Sequence, residues 1–195
     1  MSRPVISHTS SALDVLGSIG PQSPLLRVYM LGVFHLTWQV PPFTTEDLWK
    51  SRTSARTLFK LLLCVPDRQA SRSQLAGILW PDTDEERARE SLRSAYKVLR
   101  KVLRAANGED LLELRPGDDM LHLAGQSRLW VDADAFEELV AQASRTLVPE
   151  AALPLWEAAN ALLRGEFLAD EQSAEWPIIA WSRSGDRDCG WRVAA

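Results

Sequence analysis

Apolar and charged residues separate onto two faces most sharply between residues 85 and 104. If each position advances by roughly 100°, as in an α-helix, the apolar side chains gather on one side: Ala88, Leu92, Ala95, Tyr96, Leu99, Val102 and Leu103. Six cations fall on the opposite side: Arg89, Arg93, Lys97, Arg100, Lys101 and Arg104. The pattern predicts a helix with one face in a hydrophobic core and the other suited to a polyanion.

An ordinary solvated surface is the alternative interpretation of this cationic stripe, because surface helices are commonly rich in Arg and Lys. Glu86 and Glu90 lie in the same arc and can pair with Arg89 and Arg93 at i, i+3 spacing. Both acids also suit the positive end of the helix dipole. The surrounding elements must decide between the two interpretations.

The segments before the basic helix predict a strand and a first helix. Residues 26–38 are rich in β-branched and aromatic side chains around one glycine, which predicts a strand with a bend. A helix is predicted from Ser51 or Ser54 to Cys64, because Pro66 disfavours helical geometry at the residue before it. Its apolar residues keep helical spacing: Ala55, Leu58, Phe59 and Leu62.

Two capping patterns predict where the next helices begin. Ser71 with Gln74 has the capping-box pattern of a hydroxyl at the N-cap and Gln three residues later. The short helix after it is predicted to end near Trp80. Thr83 with Glu86 repeats the pattern and is predicted to begin the basic helix.

A hairpin is predicted after the basic helix, which should end at Asn107 and Gly108. Residues 111–123 predict two short strands around a Pro-Gly-Asp turn. Three helices followed by a hairpin make a winged helix-turn-helix, in which the hairpin is the wing.

Two amphipathic helices are predicted beyond Trp130. Residues 134–137 fit the start of a helix through about residue 144. Pro149 or Glu150 begins the next, whose spaced apolar residues predict a buried face: Ala152, Leu155, Trp156, Ala159, Leu162 and Leu163. A pair of such helices is typical of a helical repeat such as the tetratricopeptide unit.

The predicted fold class is mainly α with small β elements: a winged helix-turn-helix followed by a partial tetratricopeptide-like helical domain. Residues 1–24 are predicted to be a flexible leader, because their Ser, Pro and Gly follow no period. The winged-helix domain is assigned to residues 25–125 and the partial helical domain to residues 126–176. Residues 177–195 lose helical spacing and are assigned as an irregular tail.

The net charge of −4 hides an uneven distribution of charge. Residues 50–104 hold 13 Lys or Arg and six Asp or Glu, which gives +7. Residues 105–195 hold seven Arg and 17 acids, which gives −10. A basic half beside an acidic half indicates a polyanion-binding module joined to another unit.

Composition favours a cytoplasmic protein without membrane segments. No apolar run approaches the length of a membrane span, and the N-terminal region is a poor signal peptide. Cys64 lies in an apolar run, and Cys189 is alone near the C-terminus. Two such cysteines predict no disulfide framework, so a reducing cytoplasm is the expected location.

Three segments together resemble the antibiotic-regulatory-protein class of bacterial transcriptional activators: LRVYMLGVFHL, SARTLFKLLLCVPDRQASRSQLAGILWPDTDEERARESLRSAYKVLRKVL and VDADAFEEL. Each motif alone is weak evidence, but the occurrence of SRxxLAxxLWPD, RxSLRxAxxxLRxxL and VDxDAFE in this order is specific to the family. The resemblance covers residues 26–175. It implies an OmpR-type winged helix followed by a bacterial transcriptional activator domain of tetratricopeptide-like helices.

The chain departs from that family at the wing and after residue 175. Where the family's wing usually carries a Gly-Tyr-Arg tail, this chain has Asp118 and Asp119, which should weaken contacts with phosphate. The family's activator domain usually continues through several more helices, and helical repeats need about three units for a continuous core. A truncated or frame-altered copy would explain this difference, as would helices that dock on the winged domain.

DNA-binding roles follow from the predicted positions. Arg89, Arg93, Ser94 and Lys97 are assigned to base edges and adjacent phosphates, since Arg holds guanine bidentately in the major groove. Phosphate contacts are assigned to Arg100, Lys101 and Arg104 near the end of the helix. Four further residues lie at helix starts, where side chains and backbone N–H groups can hold phosphate: Arg52, Arg56, Ser71 and Arg72. Arg115 is the candidate in the predicted wing, and the alternative interpretation is that it is an ordinary charged residue of a hairpin.

Catalytic and metal-binding patterns are not found in the sequence. The three His residues lie far apart, and no HExxH, CxxC, GxSxG or P-loop pattern is present. Asp132 and Asp134 could be mistaken for paired catalytic carboxylates, but helix capping is the favoured interpretation. The prediction is a protein that is not an enzyme and needs no cofactor.

The leading hypothesis is a sequence-specific regulator of transcription, in the manner of an activator, that binds double-stranded promoter DNA. RNA polymerase and a second copy on direct repeats are further candidate partners, and no membrane is expected. The rival hypothesis is a protein–protein interaction module in which the helical part binds a partner. In that case Arg93, Lys97 and Arg100 would point at Glu137, Glu138 or Glu157 of the same molecule.

Overall fold

The computed structural model describes residues 26–38, 49, 52–107, 112–114, 119–123 and 129–171. The strands in these ranges are β1 (Leu26–Tyr29), β2 (His35–Trp38), β3 (Gln69–Ser71), β4 (Leu112–Leu114), β5 (Met120–Leu123) and β6 (Leu129–Val131). The helices are α1 (Thr53–Cys64), α2 (Arg72–Leu79), α3 (Glu85–Asn107), α4 (Asp132–Arg145) and α5 (Pro149–Leu162). Short 3₁₀ turns cover Pro66–Arg68 and Ala169–Glu171. The described part of the chain is mainly helical with small sheets, as predicted.

The N-terminal sheet has the strand order β2-β1-β6. The single bent strand predicted for residues 26–38 is wrong, because β1 and β2 are antiparallel neighbours that pair Tyr29 with His35. Gly32 lies between them with a φ of 137°, a backbone conformation that side-chain-bearing residues rarely adopt, so the chain can reverse there. β6 completes the sheet by pairing parallel to β1.

Asp132 fastens the end of β1 to the start of α4. Its fully buried carboxylate accepts hydrogen bonds from the backbone N–H groups of Met30 (2.7 Å) and Leu31 (3.1 Å). Burial raises the pKa of Asp132 above its usual range, although these donors and the charge of Arg164 oppose the shift. Capping is therefore not its main role, and α4 begins after Val131 without a side-chain cap.

Replacing Asp132 with Ala should destabilise the fold. Each buried donor left without an acceptor costs about 1–3 kcal/mol, so the free energy of unfolding should fall by about 2–5 kcal/mol. Urea denaturation followed by tryptophan fluorescence measures the change. Asp82→Ala, at an exposed turn position, is the control and should leave the midpoint within error. An unchanged midpoint in Asp132→Ala would contradict this role.

α2, an exposed turn and α3 follow one another where the helix-turn-helix is predicted. α2 begins with the predicted capping box, in which the Ser71 hydroxyl accepts from the Gln74 N–H and the Gln74 side chain accepts from the Ser71 N–H. The capping box predicted at Thr83 is wrong. Asp84 is the residue that caps α3, because its carboxylate accepts from the Arg87 N–H at 3.0 Å. Asp84 directly precedes α3, so its carboxylate can reach a free N–H group of the first turn.

The predicted hairpin after α3 is present as β4 and β5, which pair Leu112 with Leu123 and Leu114 with Leu121. β3 joins the other edge of β5, so the second sheet has the order β3-β5-β4. This sheet ties the start of α2 to the hairpin. Residues 115–118 of the turn between β4 and β5, which include Arg115, lie outside the described residues.

α4 and α5 pack against each other as a helical hairpin, close to their predicted bounds. Ala152, Ala159 and Leu162 of α5 are buried. The predicted burial of Trp156 and Leu163 is wrong, since their exposed fractions are 42% and 40%. Small residues let the two helices approach, and the large apolar side chains stay on the solvent side. The tetratricopeptide-like assignment stays a prediction.

One hydrophobic core runs through the described residues from β1 to Leu168. It includes side chains on both sides of the domain boundary predicted at residue 125, such as Leu99 and Phe136. β6 also crosses that boundary to pair with β1. The division into domains stays a prediction, but the two predicted parts share a sheet and a core.

Candidate nucleic-acid interface

α3 has the two faces that the sequence predicted. Its apolar side is buried against α1 and α2, and at most 4% of each of these side chains is exposed: Ala88, Leu92, Ala95, Leu99, Val102 and Leu103. The opposite side is exposed between residues 89 and 104: Arg89, Arg93, Ser94, Lys97, Arg100, Lys101 and Arg104. Because the core fixes the apolar side, the cationic side has a fixed direction toward solvent.

Most cations on this face carry uncompensated charge. Within the described ranges, no carboxylate lies within ion-pair distance of Arg93, Lys97, Lys101 or Arg104. Arg89 is different, because its guanidinium lies 2.6 Å from the Glu85 carboxylate. That i, i+4 pair replaces the predicted pair with Glu86. The unpaired cations make a local positive field that net charge does not reveal.

A shallow groove separates the start of α1 from the first half of α3. Arg52, Thr53 and Ser54 line one wall, and the other includes Ser91 and Ser94. α1 begins without a side-chain cap or an acidic residue in its first turn. Helix starts of this kind favour anions, so the groove adjoins the cationic face with compatible chemistry.

Arg87 and Ser91 also line this groove, although neither was singled out from the sequence. Arg87 is 81% exposed in its side chain and lies 3.4 Å from the cap residue Asp84. Arg87 comes two residues before Arg89, so its place near the start of the basic helix could have identified it. Ser91 carried no signal beyond its small size.

Arg56 has internal contacts that compete with phosphate binding. Its guanidinium contacts the Asp170 carboxylate at 2.5 Å and lies over the ring of Phe34 at 5.6 Å. The prediction that Arg56 holds phosphate therefore has an internal competitor. Arg52 keeps its place at the exposed start of α1.

Ser71 and Arg72 also have internal partners. The Ser71 hydroxyl is the N-cap acceptor of α2. Arg72 donates its backbone N–H to the Asp119 carbonyl at 2.8 Å, and its Nε lies 3.6 Å from the Asp119 carboxylate. Arg56 and Arg72 thus have ion-pair partners, unlike Arg93, Lys97, Lys101 and Arg104 among the described residues. DNA contact by any of the candidate residues stays a prediction.

Replacing Asp119 with Asn should strengthen DNA binding. The change removes an acid from the wing and releases the guanidinium of Arg72, of which 30% of the side chain is exposed. An exposed ion pair is worth about 0.2–1 kcal/mol, so the affinity should rise by about 1.5- to 5-fold. Fluorescence anisotropy with a labelled duplex at fixed salt measures it. Glu138→Gln, on exposed α4, is the charge-matched control, and an equal gain there would refute a local effect.

A second ionic cluster lies on α1, facing the Ala169–Glu171 turn. Lys60 is fully buried, and its Nζ lies 2.6 Å from Asp170 and 2.7 Å from Glu171. Burial acts to raise the pKa of Asp170, but the hydrogen bonds from Lys60 and the Phe34 N–H, with the nearby charges, lower it overall. The cluster is built to hold a buried cation.

Cys64 is the last residue of α1, and Arg68 lies in the 3₁₀ turn that follows it. Burial raises the pKa of the Cys64 thiol to about 12, which keeps it protonated and unreactive. Arg68 is buried and pairs with Asp134 at the start of α4. The capping role assigned to Asp134 is thus replaced by an ion pair between the two predicted parts of the chain.

Neither a metal site nor a membrane helix is found in the part of the chain that the structure describes. No three His, Cys, Asp or Glu side chains there come together as possible metal ligands. None of the described helices is both long and apolar enough to cross a membrane.

Comparison with known proteins identifies a shared fold. No protein-family model matches the chain, and no curated protein matches it. A solved structure of Mycobacterium tuberculosis EmbR, in complex with a low-affinity phosphopeptide, is similar with a TM-score of 0.58 and 23% sequence identity. The match covers 83% of this chain and 42% of the EmbR chain. This chain therefore shares its fold with EmbR over less than half of that protein's length.

Proposed function

We propose that this chain is a DNA-binding transcriptional regulator that reads the major groove with α3. The observation that carries the proposal is the exposed cationic face of α3, where Arg93, Lys97 and Lys101 have no carboxylate partner among the described residues. A helix fits the major groove, and its cations replace the counterions of the phosphate backbone. The resemblance to the antibiotic-regulatory-protein class and the fold shared with EmbR support the same function.

The length of the cationic face supports different roles for its two ends. Arg93 and Arg104 are 11 positions apart, which corresponds to about 16 Å along a helix axis at about 1.5 Å per residue. In a helix-turn-helix the N-terminal residues of the recognition helix contact base edges, so Arg104, at the other end, is expected at the phosphates. We assign Arg89, Arg93, Ser94 and Lys97 to base edges and adjacent phosphates. Arg100, Lys101 and Arg104 are assigned to the phosphates at the groove's rim.

The activator role and its partners rest on the family resemblance. In this proposal promoter DNA is the main partner, RNA polymerase is a second, and two copies bind direct repeats. The acidic helical part, with Glu150 and Glu157 exposed on α5, supplies a surface for the protein partners. The chain acts without catalysis or a cofactor, in the cytoplasm.

A salt series with the full chain tests the DNA-binding proposal. Binding to duplexes from the flanking promoter region is measured by gel shift between about 50 and 200 mM salt. A protein that makes six or more phosphate contacts should lose about 10³-fold in affinity across this range. A flat response would refute the proposal.

The rival proposal, a protein-interaction module without DNA binding, predicted that α3 cations would pair with acids of the helical part. Arg93 and Lys97 have no such partner in the described ranges, which favours DNA binding. If the salt series is flat, a pull-down of RNA polymerase with the full chain would support the rival.

A further inference from the structure

α5 and Leu163, the residue that follows it at the C-cap, expose large apolar side chains that lie along one stripe. Leu153 is 57% exposed, Trp156 42% and Leu163 40%. At roughly 100° per residue they fall within about 80° of one another. Asn160 lies in the same arc and is also exposed. An exposed Trp between two exposed Leu residues is the composition of a contact surface rather than of an ordinary helix face.

The stripe is not needed to hold α5 in place. α5 is anchored by a different face, whose buried residues are Ala152, Ala158, Ala159 and Leu162. These residues pack on α4, which makes the most extensive helix–helix contact in the described structure. The helix is therefore fixed before any partner arrives, and its stripe is presented in a set direction. A preorganised surface loses little conformational entropy on binding.

Charge beside the stripe points to the chemistry of the partner. Glu150 and Glu157 are exposed, and the helical angle places them within about 60° of Leu153 on the outer side. α5 contains no Lys or Arg between Pro149 and Leu162. The surface thus combines an apolar stripe with an acidic border. Its complement is an apolar stripe bordered by cations.

We propose that α5 docks an amphipathic helix of another protein, whose apolar residues are flanked by Lys or Arg. Leu153, Trp156 and Leu163 are spaced i, i+3 and i+10, so apolar anchors with the same spacing on the partner helix can lie along them. A second copy of this chain is a poorer fit, because pairing two α5 helices would bring their Glu borders together. The apolar side of α3 is also unsuitable, since Leu92 and Leu99 are buried in the core. This inference does not depend on DNA binding by α3.

Anisotropy with labelled helical peptides tests the proposal on the full chain. One probe carries Leu at i, i+3 and i+10 with Lys on both flanks, the second has Glu in place of Lys, and the third has Ala in place of Leu. Only the Lys–Leu peptide should bind. The double variant Leu153→Ala, Trp156→Ala should weaken its binding at least about tenfold, as expected for central hot-spot residues. Leu147→Ala removes an equally apolar side chain, 95% exposed and off the stripe, and should have no effect.

Charge reversal separates specific docking from nonspecific adhesion. Glu150→Lys with Glu157→Lys should shift the preference from the Lys–Leu to the Glu–Leu peptide while DNA binding is retained. Equal binding of both peptides to the parent chain would overturn the proposal. So would a concentration-dependent dimer that Trp156→Ala dissociates, because a second copy would then occupy the stripe. Absence of any peptide binding by a folded, monomeric chain would overturn it as well.

Discussion

Replacing Asp170 with Asn and Glu171 with Gln should lower the free energy of unfolding by about 3–5 kcal/mol, as expected when a buried charge loses its partner. Lys60 is fully buried, and these two carboxylates lie 2.6 and 2.7 Å from its Nζ. Their own side chains are each 20% exposed, so they can be changed without opening a cavity. Without them the ammonium stays in the core uncompensated, or it must lose its proton.

A rescue variant separates the ion pair from simple packing. Lys60→Met should restore much of the stability in the Asp170→Asn, Glu171→Gln background, because it removes the stranded charge and keeps a long apolar side chain. Urea denaturation of the single, double and triple variants gives the coupling free energy. Glu150→Gln with Glu157→Gln is the matched control, since it also removes two acids but from an exposed helix face. Equal destabilisation by that control would contradict the mechanism.

The pH dependence of stability should have the sign of a lowered carboxyl pKa at Asp170. The pKa of Asp170 in the folded protein lies below its ordinary value of 3.8. The contribution of Asp170 to the free energy of unfolding is therefore complete above pH 3.8, and it is lost as the pH falls through the lower folded-state pKa. Asp132 acts in the opposite direction, because burial raises its pKa and protonation favours the folded form. The Asp170→Asn variant should therefore lose less stability than the parent below pH 3.8, which an acid titration of the urea midpoint measures.

Local signals along the chain predicted the helices and the hairpin between residues 53 and 123 well. The Ser71 capping box was confirmed because its two hydrogen bonds join residues three positions apart. The two faces of α3 were confirmed for a similar reason, since helical spacing alone decides which side chains share a face. Asp84 was missed as a cap because the Thr83 pattern with Glu86 matched the same rule one residue earlier.

Contacts between distant residues could not be predicted. Asp132 was interpreted as a cap, yet its partner Met30 is 102 positions away. Arg56 was assigned to phosphate, yet the chain brings Asp170 to it from 114 positions away. In both cases a charged residue at a helix start has a local explanation, and the sequence does not reveal its distant partner. The assignment of Arg93, Lys97, Lys101 and Arg104 of α3 meets no such competitor, because no acid in the described ranges lies within ion-pair distance of them.

Arg93→Ala and Arg104→Ala should weaken DNA binding in different ways if α3 lies in the major groove. Loss of a bidentate contact with guanine costs about 1–3 kcal/mol, so Arg93→Ala should reduce affinity for the preferred site by about 5- to 150-fold and relax its base preference. Arg104→Ala should weaken all sequences alike and reduce the slope of log affinity against log salt by about one.

Selection from a random duplex pool, followed by salt series on the best and a scrambled site, measures both effects. Arg145→Ala is the matched control, because it removes one exposed Arg from the last turn of α4, away from α3. It should change neither the preference nor the slope. If Arg93→Ala weakens the best and the scrambled sites equally, Arg93 contacts phosphate, and base reading must be assigned to other residues of α3. If Arg104→Ala alone alters base preference, the orientation of α3 in the groove is the reverse of the one proposed. The core fixes the apolar face of α3. A reversal would therefore require the predicted winged helix to dock the other way round as a whole, with the Arg104 end of α3 in the groove.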